Sequence, residues 1–181
     1  MGEKDHSDKQ LGGDAGLSFV PLDEIRRVRG SVTDRYARAE VLADMCRVNT
    51  LYAIMNAGSG HIGSSFSSAD LITWLWTEEL RETNSGIPGA DVYFSSKGHD
   101  VPALYALLIA LEKLDFDLLH RLRRLGGLPG HPDVETPFIA TNTGSLGMGI
   151  SKAYGMVRAH RFQTAGGRIV VLAGDGELQE G

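Results

Sequence analysis

Three of the six histidines in this chain stand beside glycine in separate loops. They are His61 in Gly58-Ser59-Gly60-His61-Ile62-Gly63, His99 in Ser95-Ser96-Lys97-Gly98-His99-Asp100, and His131 in Leu128-Pro129-Gly130-His131-Pro132-Asp133. Imidazole accepts or donates a proton near neutral pH, and loops far apart in sequence meet when a sheet presents them at one edge. One such histidine reads as a turn residue; three in the same setting point to proton transfer in a shared pocket. His6 lies in a polar tail, and His120 and His160 fall among arginines on segments expected to be solvated helix surface.

A second chemistry is written further along. The apolar run Ile169-Val170-Val171-Leu172-Ala173 ends in Gly174-Asp175-Gly176-Glu177-Leu178-Gln179-Glu180-Gly181. Short β-branched runs bounded by glycine read as buried parallel strands, and ligands of open α/β sheets gather beyond the carboxyl ends of such strands. Glycine lets backbone N–H groups approach phosphate oxygens, and the Asp175 carboxylate is a hard oxygen ligand of the kind Mg²⁺ takes alongside phosphates. A plain surface turn has the same composition. The loop Thr141-Asn142-Thr143-Gly144-Ser145-Leu146-Gly147-Met148-Gly149 runs into a helix and offers unpaired N–H groups to an anion or heterocycle. Its glycines equally suit close packing of that helix on a sheet.

The elements that must position these loops are legible from periodicity. Residues 1–20 read as a mobile leader and 21–181 as one domain. Tyr36, Val41, Met45, Val48, Leu51, Tyr52 and Met55 predict an amphipathic helix over 33–56 with these residues on its apolar face and Arg35, Arg38 and Arg47 on its solvated side. A second helix is expected over 68–80, with Trp74 and Trp76 in core or subunit-interface packing rather than on a sugar-stacking platform. A short strand over 91–95 delivers the His99 loop; helices over 102–112 and 115–124 follow, then a long loop over 126–143. Gly58, Gly60 and Gly63 match G-x-G-x-x-G, but a dinucleotide site needs a strand ahead of them, and a long helix stands there.

Composition narrows the classes. The chain carries 18 Lys+Arg against 23 Asp+Glu, a net charge of −5, so nothing calls for a nucleic acid partner. The single Cys46 excludes an intramolecular disulfide and reads as a small buried residue. The start, Met1-Gly2-Glu3-Lys4-Asp5-His6, is unlike a signal peptide, no apolar run approaches the length of a membrane span, and a cytoplasmic location is expected.

Taken in order, these segments resemble the N-terminal, thiamine-diphosphate-binding half of transketolase, in particular the split kind in which that half is its own polypeptide. The resemblance spans about residues 30–181 and rests on the His61, His99 and His131 loops, on Thr143-Gly144-Ser145-Leu146-Gly147-Met148-Gly149 and on the Gly174–Gly181 segment. It implies an α/β fold, a parallel sheet flanked by helices, that binds thiamine diphosphate and Mg²⁺. Asp175 would be the Mg²⁺ ligand, and Gly176 would give its N–H to the same phosphate. His99 would contact the cofactor. His61 and His131 would be catalytic, holding a donor sugar's hydroxyls and relaying protons, while Gly144 and Leu146 would lend backbone groups to the aminopyrimidine. Glu180 would lie at a dimer interface near the partner's pyrimidine site.

The resemblance further implies two-carbon ketol transfer between sugar phosphates, performed in a homo- or hetero-oligomer with a C-terminal transketolase subunit that carries the pyrimidine-binding domain. Two departures accompany it. Ile62 stands where the family usually has proline. The family's second metal-site residue, an asparagine beyond Asp175, and the glutamate of its second domain do not occur in the sequence, so the domain is expected to be incomplete at its C-terminus, to hold metal weakly and to be inactive alone. Two other readings stay open: a truncated, non-catalytic partner or regulatory domain, and a zinc hydrolase with His61, His99 and His131 as ligands.

Overall fold

The chain, seen in a computed structural model, is described over residues 16–163 and 166–180. Helices α1 (Leu22–Ser31), α2 (Arg35–Ala57) and α3 (Ile62–Trp74) precede strand β1 (Val92–Ser95). Helix α4 (Val101–Ala110), a 3₁₀ turn (Phe116–Arg121), helix α5 (Met148–Gln163), strand β2 (Ile169–Leu172) and a last 3₁₀ turn (Glu177–Gln179) follow. All ten residues of α4 are buried, as its uninterrupted apolar sequence requires. It is the central helix, packed against α1, α2 and α3.

The strands β1 and β2 pair in parallel, Val92 opposite Ile169 and Ser95 opposite Leu172. Parallel strands require a long crossover, and the segment between them supplies α4 and α5. Asp91 pins the register at the entrance. Its carboxylate is fully buried and accepts from Arg81 N (2.9 Å), Arg168 N (2.7 Å) and the Arg168 guanidinium (2.8 Å). Burial alone would raise its pKa, but these donors outweigh that and hold it at about 2. At the exit, Ser96 N donates to Leu172 O at 2.8 Å. The two strands therefore end side by side and release their loops into the same space.

Several details depart from the periodicity. Helix α2 does form, capped by Asp34, which accepts from Ala37 N at 2.8 Å, and ended by Gly58 in the left-handed region. Its buried face, however, is Ala39, Leu42, Ala43, Cys46, Asn49, Thr50, Ala53 and Ile54 together with Tyr52. Tyr36 and Met55, placed on the apolar face, are 67% and 52% exposed, and Val41, Val48 and Leu51 are exposed as well. Small residues win the inner face because they let α2 approach α3 and α4 closely, which large side chains would prevent.

Arg38 and Arg47 are not free on the solvated side either: Arg38 pairs with Glu78 at 2.7 Å, and Arg47 with Asp44 at 2.6 Å and with Asp70. Trp76 is core, whereas Trp74 is stacked on Tyr36 with ring centroids 4.9 Å apart. The second helix begins at Ile62, earlier than expected, and closes in a π-helical turn, Leu75–Glu79. The 115–124 segment is a 3₁₀ turn rather than a helix.

Helix α1, not anticipated from the sequence, buries Ile25 and Val28 at helical spacing. The leader expected over 1–20 falls mostly outside the described residues, but Phe19 and Val20 belong to the domain. The Val20 N–H and carbonyl bond the Asn49 side chain at 2.7 and 3.1 Å, and Phe19 packs edge-on against Tyr52 at 5.0 Å. His120 is likewise not solvated: its Nδ1 bonds the Tyr52 hydroxyl at 2.8 Å, Phe19 lies against its ring, and burial lowers its basicity. Among the described residues no helix is long and apolar enough to cross a membrane.

Candidate functional site

The five loops singled out in the sequence meet beyond the carboxyl ends of β1 and β2. The hub is the segment leaving β1. Gly98 has φ +73°, and a Cβ there would lie 2.8 Å from Gly144 N, so this turn admits only glycine and presses the His99 loop onto the glycine loop. His99 reaches the other way, its ring centroid 4.9 Å from that of His61. His61 is the residue that opens α3, with Ser65 N bonded to its carbonyl at 3.2 Å. Ile62 is the first helical residue, where the family's proline would also fit, since the N–H there has no helical partner.

His131 packs on Gly144: a Cβ on that glycine, φ +120°, would stand 2.9 Å from His131 Cδ2. Tyr105, from the central helix, donates to the His131 carbonyl at 3.3 Å, and burial raises its phenol well above the usual value, so it stays a neutral donor. Arg123 links the two outer histidine loops. It donates to Ser59 Oγ at 3.3 Å, and its guanidinium lies against Gly130. His61 is exposed, yet desolvation by the atoms packed beside it, then the charges of His99, Arg123 and His131, lower its basicity. Neutral imidazole near pH 7 is the form that can accept a proton.

On the β2 side, Asp175 and Gly176 are exposed at the strand-end turn, and Leu146 is exposed on the glycine loop. Glu180 packs on that loop: a Cβ on Gly147 would lie 3.0 Å from Glu180 Cβ. Sequence reasoning missed the residue that ties these parts together. Glu177 is buried and accepts from Gly174 N at 2.9 Å, Gly147 N at 3.2 Å and the Ser96 hydroxyl. Burial would raise its pKa; the bonds from Gly174, Ser96 and Gly147, with the Lys97 charge, lower it instead. Its only sequence signal was an acid directly after a strand-end glycine turn. Ser96 Oγ in turn accepts from Gly149 N at 3.1 Å. The amides of Gly147 and Gly174 are thus engaged by Glu177, and that of Gly149 by Ser96, so these N–H groups join the loops to one another.

Among the described residues no three His, Cys, Asp or Glu side chains form a group that could hold a metal ion, so the zinc triad of His61, His99 and His131 lacks its geometry. Thr143 Oγ1 and Asp100 Oδ1, in the glycine and His99 loops, are buried without a hydrogen-bond partner among the described residues. Buried polar atoms of this kind are normally satisfied, and these two lie in loops that converge at the strand ends.

Residues 38–181 match the family model "Transketolase, thiamine diphosphate binding domain". The chain belongs to the transketolase family. It is 35% identical over 150 residues to one of the subunits of the apulose-4-phosphate transketolase of Phocaeicola vulgatus, covering 78% of this chain and 52% of that protein. It is 38% identical over 143 residues to a 6-deoxy-6-sulfo-D-fructose transketolase subunit of Clostridium sp., covering 77% and 52%. Among solved structures, the transketolase from Leishmania mexicana superposes with a TM-score of 0.70 at 30% identity, over 79% of this chain and 24% of that one. The chain thus spans about half the length of the subunit relatives and, at 23%, about a quarter of the bovine transketolase-like protein 2. The α/β architecture, with its parallel strands and flanking helices, is that of the thiamine-diphosphate-binding domain of transketolases.

Proposed function

We propose that this chain is the thiamine-diphosphate-binding subunit of a transketolase assembled from more than one polypeptide, moving a two-carbon ketol unit between sugar phosphates. The observation that carries the reading is the meeting of His61, His99, His131, Gly144 and the Asp175 turn at the ends of two adjacent parallel strands. The subunit relatives, of which the matched region covers 52%, support the division into separate polypeptides.

The residues fit magnesium and thiamine diphosphate. A carboxylate and a glycine N–H stand exposed at a strand end, Asp100 Oδ1 and Thr143 Oγ1 in two of the converging loops lack partners among the described residues, and a close-packed glycine loop leaves Gly144 beside an imidazole. Asp175 would hold the metal and Gly176 N–H the diphosphate, with His99 beside them. Gly144 and Leu146 would offer backbone groups to the aminopyrimidine. When bound, the cofactor supplies the nucleophilic carbon and the electron sink for breaking a C–C bond next to a carbonyl. The chain's own part is proton handling and orientation. His61, its basicity lowered by its surroundings, accepts a proton from a substrate hydroxyl, and His131, fixed through its carbonyl by Tyr105, orients the sugar from the opposite loop. Glu180, exposed beside Gly147, faces outward toward a partner chain with the pyrimidine-binding domain.

The test is a coupled ketose-to-aldose assay with and without a cognate pyrimidine-domain chain. Turnover appears only with both chains on this reading. Turnover by the isolated protein overturns the partner requirement, and inactivity with the cognate partner favours a non-catalytic role.

A further inference from the structure

Three loops that descend from different parts of the chain are fastened at one buried carboxylate. Glu177 Oε1 takes the Ser96 hydroxyl and Gly147 N–H, the latter at 3.2 Å, and Oε2 takes Gly174 N–H at 2.9 Å. The arrangement is directional. Ser96 Oγ accepts from Gly149 N at 3.1 Å, so its proton is turned toward Glu177. Only a group with two accepting oxygens and no hydrogen satisfies three donors at once, and a carboxylate is that group. Its position is telling: the segment from Gly174 to Glu177 brackets Asp175, and Ser96 begins the loop that carries His99.

We propose that Glu177 is a positioning residue, clamping the Asp175 turn to the glycine loop and the His99 loop so that the Asp175 carboxylate is aimed at the cation a diphosphate brings. This rests on the reading of the chain as a binder of magnesium and thiamine diphosphate. Without the clamp the turn keeps its sequence but loses its aim, because among the described residues Glu177 is the one side chain that accepts from both Gly174 N and Gly147 N. Outer partners of metal ligands typically control affinity by about 10–100-fold.

The discriminating quantity is the Mg²⁺ concentration that half-saturates binding at fixed thiamine diphosphate, followed by calorimetry on the full-length protein in its natural assembly. Glu177→Gln preserves shape, yet its amide turns N–H toward N–H donors, so the Mg²⁺ midpoint is expected to rise about tenfold or more. Ser96→Ala removes one donor and leaves the carboxylate, and should raise the midpoint by a smaller factor, about threefold. The melting temperature of the ligand-free protein is recorded in parallel. A purely structural role would lower melting and leave the Mg²⁺ midpoint of the folded fraction unchanged. Should Glu177→Gln fail to fold, Ser96→Ala carries the decision. Wild-type binding with an unmoved midpoint in the folded variants overturns the clamp alone; no binding by wild type overturns the cofactor reading and the clamp together.

Discussion

Replacing Asp91 by asparagine attacks the site from its scaffold. The buried carboxylate receives two backbone N–H groups, of Arg81 and Arg168, and the Arg168 guanidinium, and so fixes where β2 starts against β1. Its pKa falls from the ordinary 3.8 to about 2 in the folded chain. At about 1.4 kcal/mol per unit this corresponds to roughly 2 kcal/mol, trimmed by screening because the Arg168 side chain is 49% exposed. A depressed carboxylate contributes fully above its unfolded pKa and loses its contribution as pH falls from about 4 through about 2. Asparagine keeps one acceptor but turns an amide N–H toward a donor, adding about 1 kcal/mol. Urea denaturation should therefore show a loss of about 2–3 kcal/mol at pH 7 that falls to about 1–2 kcal/mol near pH 2.5, where only the titrating part is lost. A loss below about 0.5 kcal/mol, or one that does not change with pH, would refute the register-lock argument.

Other expectations are independent of that one. Gly144→Ala forces a side chain into φ +120° and against His131, and should cost about 1–3 kcal/mol in thermal unfolding while displacing the His131 ring signals in NMR spectra. In the reconstituted complex, His131→Ala should lower kcat far more than cofactor affinity and His99→Ala should do the reverse; identical profiles in titrations and steady-state rates would show the roles misassigned. Cys46, with its thiol pushed up to about 12 by burial, should resist thiol reagents at pH 8 until urea unfolds the chain, and rapid labelling of native protein would contradict its placement.

The loops were more legible than the helices, for a physical reason. Glycine, histidine and aspartate at fixed spacing are demanded by local geometry, so Gly98, Gly144 and the turn after β2 could be picked out without any knowledge of packing. The inner face of α2 could not. There the decisive quantity was how closely neighbouring helices approach, and Ala39, Ala43 and Ala53 carry no amphipathic signal that distinguishes a tight contact from an exposed surface. Likewise, arginine neighbours made His120 look solvated, although Tyr52 and Phe19, distant in sequence, enclose it. Glu177 was visible as part of a motif, yet its three partners lie in loops separated by as many as 81 positions, beyond any local rule.

The central claim is that the strand-end turn binds a diphosphate through a cation, and one titration addresses it. Thiamine diphosphate is added to the protein with Mg²⁺, with EDTA, and to Asp175→Ala with Mg²⁺, and the heat of binding is followed. Two anions, the Asp175 carboxylate and the diphosphate, need the cation between them. Binding should appear with Mg²⁺ alone and be lost both in EDTA and in the variant. Binding that persists in EDTA, or that is undiminished in Asp175→Ala, would contradict the account.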